Sequence, residues 1–280
     1  MRVLIGLVVL LLLGACGAPG RVVARASAPV NPSSNAPAGP GPGAVLSPSP
    51  APAVPLPPGF VALEEVDPSI LADVRYATGH NFVGRVVAGY LRPRCLLTRV
   101  AAEALREVQR RASAAGYSLK VYDCYRPQRA VDDFVRWSGD GDQRMRGEFY
   151  PREEKSALFS DGYIGSPTAH SRGSTVDLTL VARPARGQPE YRVGAPLEPC
   201  TAAAEQRFPD NSIDMGTGFD CFDTLAHTAA SGVTRQQHDN RERLVRLMAG
   251  GGFANYPQEW WHYTLGDEPF PDTYYDFPVG

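Results

Sequence analysis

Four residues of this chain have side chains and spacings that could do chemistry together: His170, Asp177, Glu259 and His262. The first two lie in "TAHSRGSTVDLTL" (residues 168–180), the other two in "EWWHY" (residues 259–263). Two imidazoles and one carboxylate make a donor set for a catalytic zinc, which takes three protein ligands and keeps a position open for water. A further carboxylate beside the metal, but not on it, can take the proton of an activated water. The expectation is one zinc per chain, held by His170, Asp177 and His262, with Glu259 as general base. Singly, each residue has a plainer reading. A lone histidine is more often a surface or hydrogen-bonded core residue than a ligand, and an isolated E-x-x-H recurs by chance.

The spacing restricts the elements that carry these groups. Residues seven apart on one strand point to opposite faces, so His170 and Asp177 cannot share both a regular strand and a metal. Gly173 permits a turn between them, which puts His170 on a loop folded back over the strand that holds Asp177. By the same parity Glu259 precedes the strand of His262, and Pro257 fits an irregular approach.

The rest of the folded part reads as mixed elements. Helical spacing runs from Thr98 to Ala115, with Val100, Ala101, Ala104, Leu105 and Val108 on one side, Thr98 as N-cap and Gly116 as stop. "YSLKVYDCY" alternates, with Leu119, Val121 and Asp123 on one face. "RPQRAVDDFVRW" starts a second helix, with Pro127 in its first turn. The polar, Gly-rich residues 138–146 read as a loop. "STVDLTLV" is a strand candidate, "NRERLVRLMAGGGF" a helix ended by its glycines, and "WWHYTL" a late strand in which Trp260 and Trp261 are core aromatics. Helices early and late with strands between them imply α+β rather than a βαβ repeat.

Composition divides the 280 residues into three parts. Residues 1–15 have Arg2 and then an apolar run, shorter than the ~20 residues that span a bilayer, and read as an export signal. "LGAC" at residues 13–16 resembles a lipoprotein signal, in which Cys16 carries lipid; a simple secretory signal is the alternative. Residues 16–58, rich in Pro, Ala and Gly, cannot bury enough apolar surface to offset their chain entropy and read as a disordered tether. Residues 59–280 are ample for one catalytic domain. The catalytic part is therefore expected in the cell envelope, touching membrane only through Cys16. Cys95, Cys124, Cys200 and Cys221 remain, an even count that suits an exported protein with two disulfides. Of three possible pairings, Cys95–Cys124 and Cys200–Cys221 join neighbours across short loops; four buried thiols are the alternative. With 28 basic and 30 acidic residues and a net charge of −2, no basic excess points to a nucleic-acid partner.

Together these stretches resemble the D-alanyl-D-alanine dipeptidases of the vancomycin-resistance type, whose pattern is S-x-H-x-x-G-x-A-x-D followed later by E-x-x-H. "DVRYATGHNF" (residues 73–82), "YDCYRPQRAV" (122–131), "DMGTGFD" (214–220) and "DEPFPDTYYDFPV" (267–279) resemble further blocks of that family, in the same order. The resemblance implies a single α+β zinc-peptidase domain of the Hedgehog/D,D-peptidase kind, with a mainly antiparallel central sheet flanked by helices. It implies zinc-dependent hydrolysis of D-alanyl-D-alanine to D-alanine, with His170, Asp177 and His262 as ligands and Glu259 as base. It also implies that Arg126 stabilises the oxyanion and that Asp220 receives the substrate's ammonium group. Thr168 stands where the family has Ser and keeps a hydroxyl for substrate contact. Thr175 stands where it has Ala, a packing change. Two other readings use the same residues: a zinc D,D- or L,D-carboxypeptidase trimming peptidoglycan stem peptides, and a non-catalytic wall-binding lipoprotein. The second would be marked by loss of Glu259 or a ligand, and none is lost.

Overall fold

A computed structural model describes residues 55–280. The signal segment, Cys16 and residues 17–54 of the tether lie outside the described residues. The packed chain begins at Leu56, which sits against an aromatic cluster, and the Phe60 N–H donates to the Pro57 carbonyl at 3.1 Å.

The elements in order are β1 (Phe60–Ala62), α1 (Leu63–Val66), β2 (Leu71–Ala72), β3 (Leu96–Thr98), α2 (Arg99–Ala114), β4 (Tyr117–Asp123), α3 (Gln128–Ser138) and α4 (Arg146–Phe149). They continue with β5 (Thr175–Ala182), α5 (Arg235–Ala249), β6 (Phe253–Asn255) and β7 (His262–Leu265). The main sheet has the order β2-β4-β5-β7-β6, and β1 pairs with β3 in a small second sheet. Among the described strand pairs only β2–β4 is parallel. The fold is thus α+β with a mainly antiparallel sheet, as the resemblance implies.

Helix α2 starts where Thr98 caps the Ala101 N–H at 3.3 Å and buries Ala101, Leu105, Val108 and Ala112. That stripe repeats every three or four residues, one face of a helix. Val100, expected on the buried side, lies outside the stripe and is 51% exposed. Helix α5 starts at Arg235, five residues before the expected Asn240. Thr234 and Gln237 cap each other's backbone there in a reciprocal box, and the following polar turn needs no apolar residue to form. Strand β7 starts at His262 rather than Trp260; both tryptophans are buried in the turn before it.

One face of the sheet carries Leu119, Val121, Val176, Leu178, Leu180 and Tyr263, in one apolar core with α2 and α5 residues such as Leu105 and Leu244. Strict alternation would place Asp123 on that face beside Leu119 and Val121, and the structure corrects this. Val121 pairs with Leu178, but Asp123 pairs with Asp177, so β4 advances two residues while β5 advances one. An extra residue of this kind is a β-bulge, and it turns the residues beyond it to the other face. Asp123 therefore shares the polar face with Asp177.

Candidate metal centre and active site

Three adjacent strands put one row of side chains on that face. Asp123 of β4 faces Asp177 of β5, and Asp177 faces His262 of β7. Directly opposed residues have Cβ atoms about 5 Å apart, close enough for their polar atoms to meet. His170 comes from a short 3-10 turn, Ala169–Arg172, just before β5. Gly173 ends that turn at φ +84°, and a Cβ there would run into the Phe60 ring. Only glycine fits both demands. The loop position of His170 and the turn position of Glu259 are those expected from strand parity.

The ligand atoms form a nearly equilateral triangle. His170 Nε2 lies 3.3 Å from Asp177 Oδ1, His262 Nδ1 lies 3.2 Å from the same oxygen, and the two nitrogens are 3.3 Å apart. A tetrahedral centre with ligand distances of about 2.0–2.1 Å requires edges of about 3.3–3.4 Å, so the spacing fits a small metal ion. The proton inventory agrees. His170 Nδ1 donates to the Cys124 carbonyl at 2.7 Å, which leaves Nε2 as a bare lone pair facing the other two atoms. Asp177 Oδ1 is buried without a hydrogen-bond donor. Burial opposes ionisation of Asp177, but His170 and His262 outweigh it and hold the carboxyl below its ordinary range. Burial would lower His262, yet the Asp177 and Glu259 carboxylates raise it to about 9. A proton or a cation must sit among these groups, and a metal displaces the proton.

The surrounding groups are fixed by charge and hydrogen bonds. Glu259 Oε2 stands 3.4 Å from His262 Nδ1, beside the triangle rather than in it. Asn255 holds the backbone of that turn, donating to the Glu259 and His262 carbonyls. Arg126 donates through Nε to Asp123 at 2.8 Å, and its Nη2 lies 3.4 Å from Asp177 Oδ2. Burial would lower the Arg126 pKa, but Tyr76, Asp123 and other acidic neighbours hold it well above its ordinary value, so it stays cationic. Asp123 also accepts from the Tyr90 hydroxyl at 2.6 Å. Asp220 accepts from the Tyr76 hydroxyl at 2.9 Å. Burial and the nearby Asp177 push the Asp220 carboxyl well above its usual range, against the pull of Arg126 and Tyr76.

Asp177, Arg126, Asp220, Glu259, His262 and Thr168 all line one small cavity of about 170 Å³. Thr168 caps the His170 turn, its hydroxyl 3.4 Å from the His170 N–H, while it also faces the cavity. Thr175 does more than fill space: its hydroxyl is 2.9 Å from that of Thr264. Cys95 is bonded to Cys124 and Cys200 to Cys221. The first bridge ties down the residue whose carbonyl orients His170.

The family model for D-Ala-D-Ala dipeptidases matches residues 57–190 and 204–280. The chain belongs to this family. A D-alanyl-D-alanine dipeptidase of Streptomyces coelicolor is 41% identical over 221 residues, covering 79% of this chain and 98% of the relative. One from Enterococcus faecalis is 39% identical over 222 residues, with the same coverage of 79% and 98%. One from Escherichia coli is 31% identical over 205 residues, 73% of this chain and 83% of the relative. Within the family domain, sequence reading missed Tyr76, Tyr90 and Asp123 as parts of the site. Tyr76 and Asp220 are 144 positions apart, and nothing in the spacing of a tyrosine announces such a partner.

If the triangle holds the metal, His262→Ala leaves two ligands and should lose most bound metal. Elemental analysis after gel filtration checks this, and full occupancy would remove His262 from the ligand set.

Proposed function

We propose that this protein is a zinc-dependent D-alanyl-D-alanine dipeptidase of the cell envelope. The observation that carries the reading is the convergence of Asp177, His262, Glu259, Arg126 and Asp220 on one small cavity, with His170 completing the ligand triangle behind it. Two imidazoles and one carboxylate at tetrahedral spacing suit zinc. The substrate follows the name of the relatives.

The roles follow from position. His170, Asp177 and His262 would hold the zinc, which when bound would supply Lewis acidity for water and for the scissile carbonyl. Glu259 takes the proton of the attacking water and passes it to the leaving nitrogen, so that one peptide bond and one water become two amino acids. Arg126, kept cationic and fixed by Asp123, donates to the carbonyl oxygen as negative charge develops on it. Asp220, positioned by Tyr76, receives the free ammonium group. Thr168 offers its hydroxyl to the substrate from the cap of the His170 turn.

The location follows from the leader: export, with lipid on Cys16 and the domain carried outside the membrane on its tether. There the substrate is dipeptide released during wall turnover or available for scavenging, because the precursor dipeptide is made in the cytoplasm. Cys16→Ala should move the protein from the membrane fraction to the soluble one. Retention of that variant in washed membranes would remove the lipid anchor.

The deciding experiment offers the purified, zinc-loaded protein D-Ala-D-Ala or an intact stem pentapeptide, with products read by mass spectrometry. D-alanine from the dipeptide and an unchanged pentapeptide are expected. Loss of one D-alanine from the pentapeptide at a comparable rate would favour the carboxypeptidase reading.

A further inference from the structure

Asp220 holds an uncommon backbone conformation. Its φ is +56°, in the left-handed region that L-residues other than glycine enter at a cost. It is one of two described non-glycine residues with positive φ, and the one in the active-site cavity. A residue stays there only when its surroundings over-determine it. The surroundings do so on both sides. Two residues before it, the Gly218 N–H donates to the Cys200 carbonyl at 2.9 Å. Directly after it, Cys221 is bonded to Cys200. Two residues after it, the Phe222 N–H donates to the Phe149 carbonyl at 2.8 Å. Cys200 is itself anchored, its N–H donating to the Glu148 carbonyl at 2.8 Å, and both cysteines of the bridge are buried.

Cys200 therefore clamps the Asp220 turn from two directions, through its carbonyl and through its sulfur. It lies in residues 191–203, which the family model leaves unmatched, whereas Cys221 and Asp220 lie in the matched part. We propose that the Cys200–Cys221 bridge is a specificity device: it holds Asp220 in its left-handed conformation, so that the carboxylate faces the ammonium of the bound dipeptide. This rests on the reading of Asp220 as the ammonium receptor. Without the bridge, Cys221 is free to move, Asp220 relaxes to negative φ, and its carboxylate leaves the position that Tyr76 and the cavity define. Cys200 and Cys221 are positioning residues; neither lines the cavity around the metal.

The test is a double-mutant cycle on the zinc-loaded protein. The variant Cys200→Ala/Cys221→Ala, which leaves no stray thiol, should keep its metal and raise KM for D-Ala-D-Ala about tenfold, with kcat within about threefold. In an Asp220→Ala background the same pair of changes should alter KM less than about threefold, because the group it positions is gone. A merely structural bridge would cost the same in both backgrounds, and that result overturns the proposal, as does an unchanged KM when Asp220 is present. An unchanged KM in Asp220→Ala alone would instead remove the ammonium reading, and this proposal with it. If the alanine pair does not fold, Cys200→Val/Cys221→Ala, which refills the buried volume, is measured in the same cycle, with a thermal melt confirming the folded state.

Discussion

Glu259→Gln should bind metal like the unmutated protein and lose about 10²–10⁴-fold in turnover, the range that a positioned general base contributes. The substitution separates two functions of the site. The triangle of His170, Asp177 and His262 is untouched, so metal content should hold. Glutamine has nearly the same shape and fits the turn between Tyr256 and His262, where Glu259 donates its N–H to the Tyr256 carbonyl at 3.0 Å. What it cannot do is accept a proton. Glu259 stands beside the ligand triangle on the side facing the cavity, where an attacking water must give up its proton. Parallel elemental analysis and steady-state kinetics give the answer. Near-normal turnover with full metal would end the general-base assignment. Loss of metal together with activity would recast Glu259 as a group that supports the ligands.

The second large effect concerns the free amine. The enzyme should prefer D-Ala-D-Ala to N-acetyl-D-Ala-D-Ala by roughly 10²-fold or more, and Asp220→Ala should narrow that gap mainly by harming the free dipeptide. An acetyl group puts a neutral amide where Asp220 expects a cation. Stranding one member of a buried ion pair costs about 3–5 kcal/mol, and each 1.4 kcal/mol is about tenfold. Asp220 has a partial escape. Its carboxyl is pushed well above the ordinary range by burial and by Asp177, so facing an amide it can keep a proton rather than a bare charge. That lowers the penalty and sets its pH dependence. The free dipeptide needs both the ionised carboxylate and its own ammonium group. The preference should therefore widen as pH rises and more of Asp220 is ionised, and fall again above about pH 8, where the α-amino group loses its proton. Competition between the two substrates at several pH values measures this directly. Equal hydrolysis of both by the unmutated enzyme would refute the assignment and favour the carboxypeptidase reading.

The chemistry was more legible than the geometry that supports it. His170, Asp177, Glu259 and His262 stand in short motifs, and the parity of a strand together with Gly173 was enough to put His170 on a turn and Asp177 on a strand. The alternation rule failed at Asp123, because a bulge in β4 is set by pairing with β5 and leaves no mark in β4 itself. The start of α5 was missed for a different reason. Thr234 and Gln237 do spell a capping pair, but the turn they open carries no apolar residue, and hydrophobic spacing picks up the helix only later. Val100 shows the limit of a stripe read from one side: the buried line runs through Ala101, Leu105, Val108 and Ala112, and its neighbour is left in solvent. Tyr76 and Tyr90 meet their carboxylates only after distant loops converge, which is information held by the tertiary structure.

The row Asp123–Asp177–His262 crosses three strands through two pairings of the main sheet. In a strand, a slip of one residue exchanges the two faces. A slip of β5 would carry Asp177 into the apolar layer beneath the sheet and bring Val176 or Leu178 up in its place. A cation held by His170, Asp177 and His262 would therefore favour the correct strand register, since only the aligned β5 and β7 bring Asp177 and His262 together. The metal-to-protein ratio of a preparation would then count correctly aligned molecules as well as active ones.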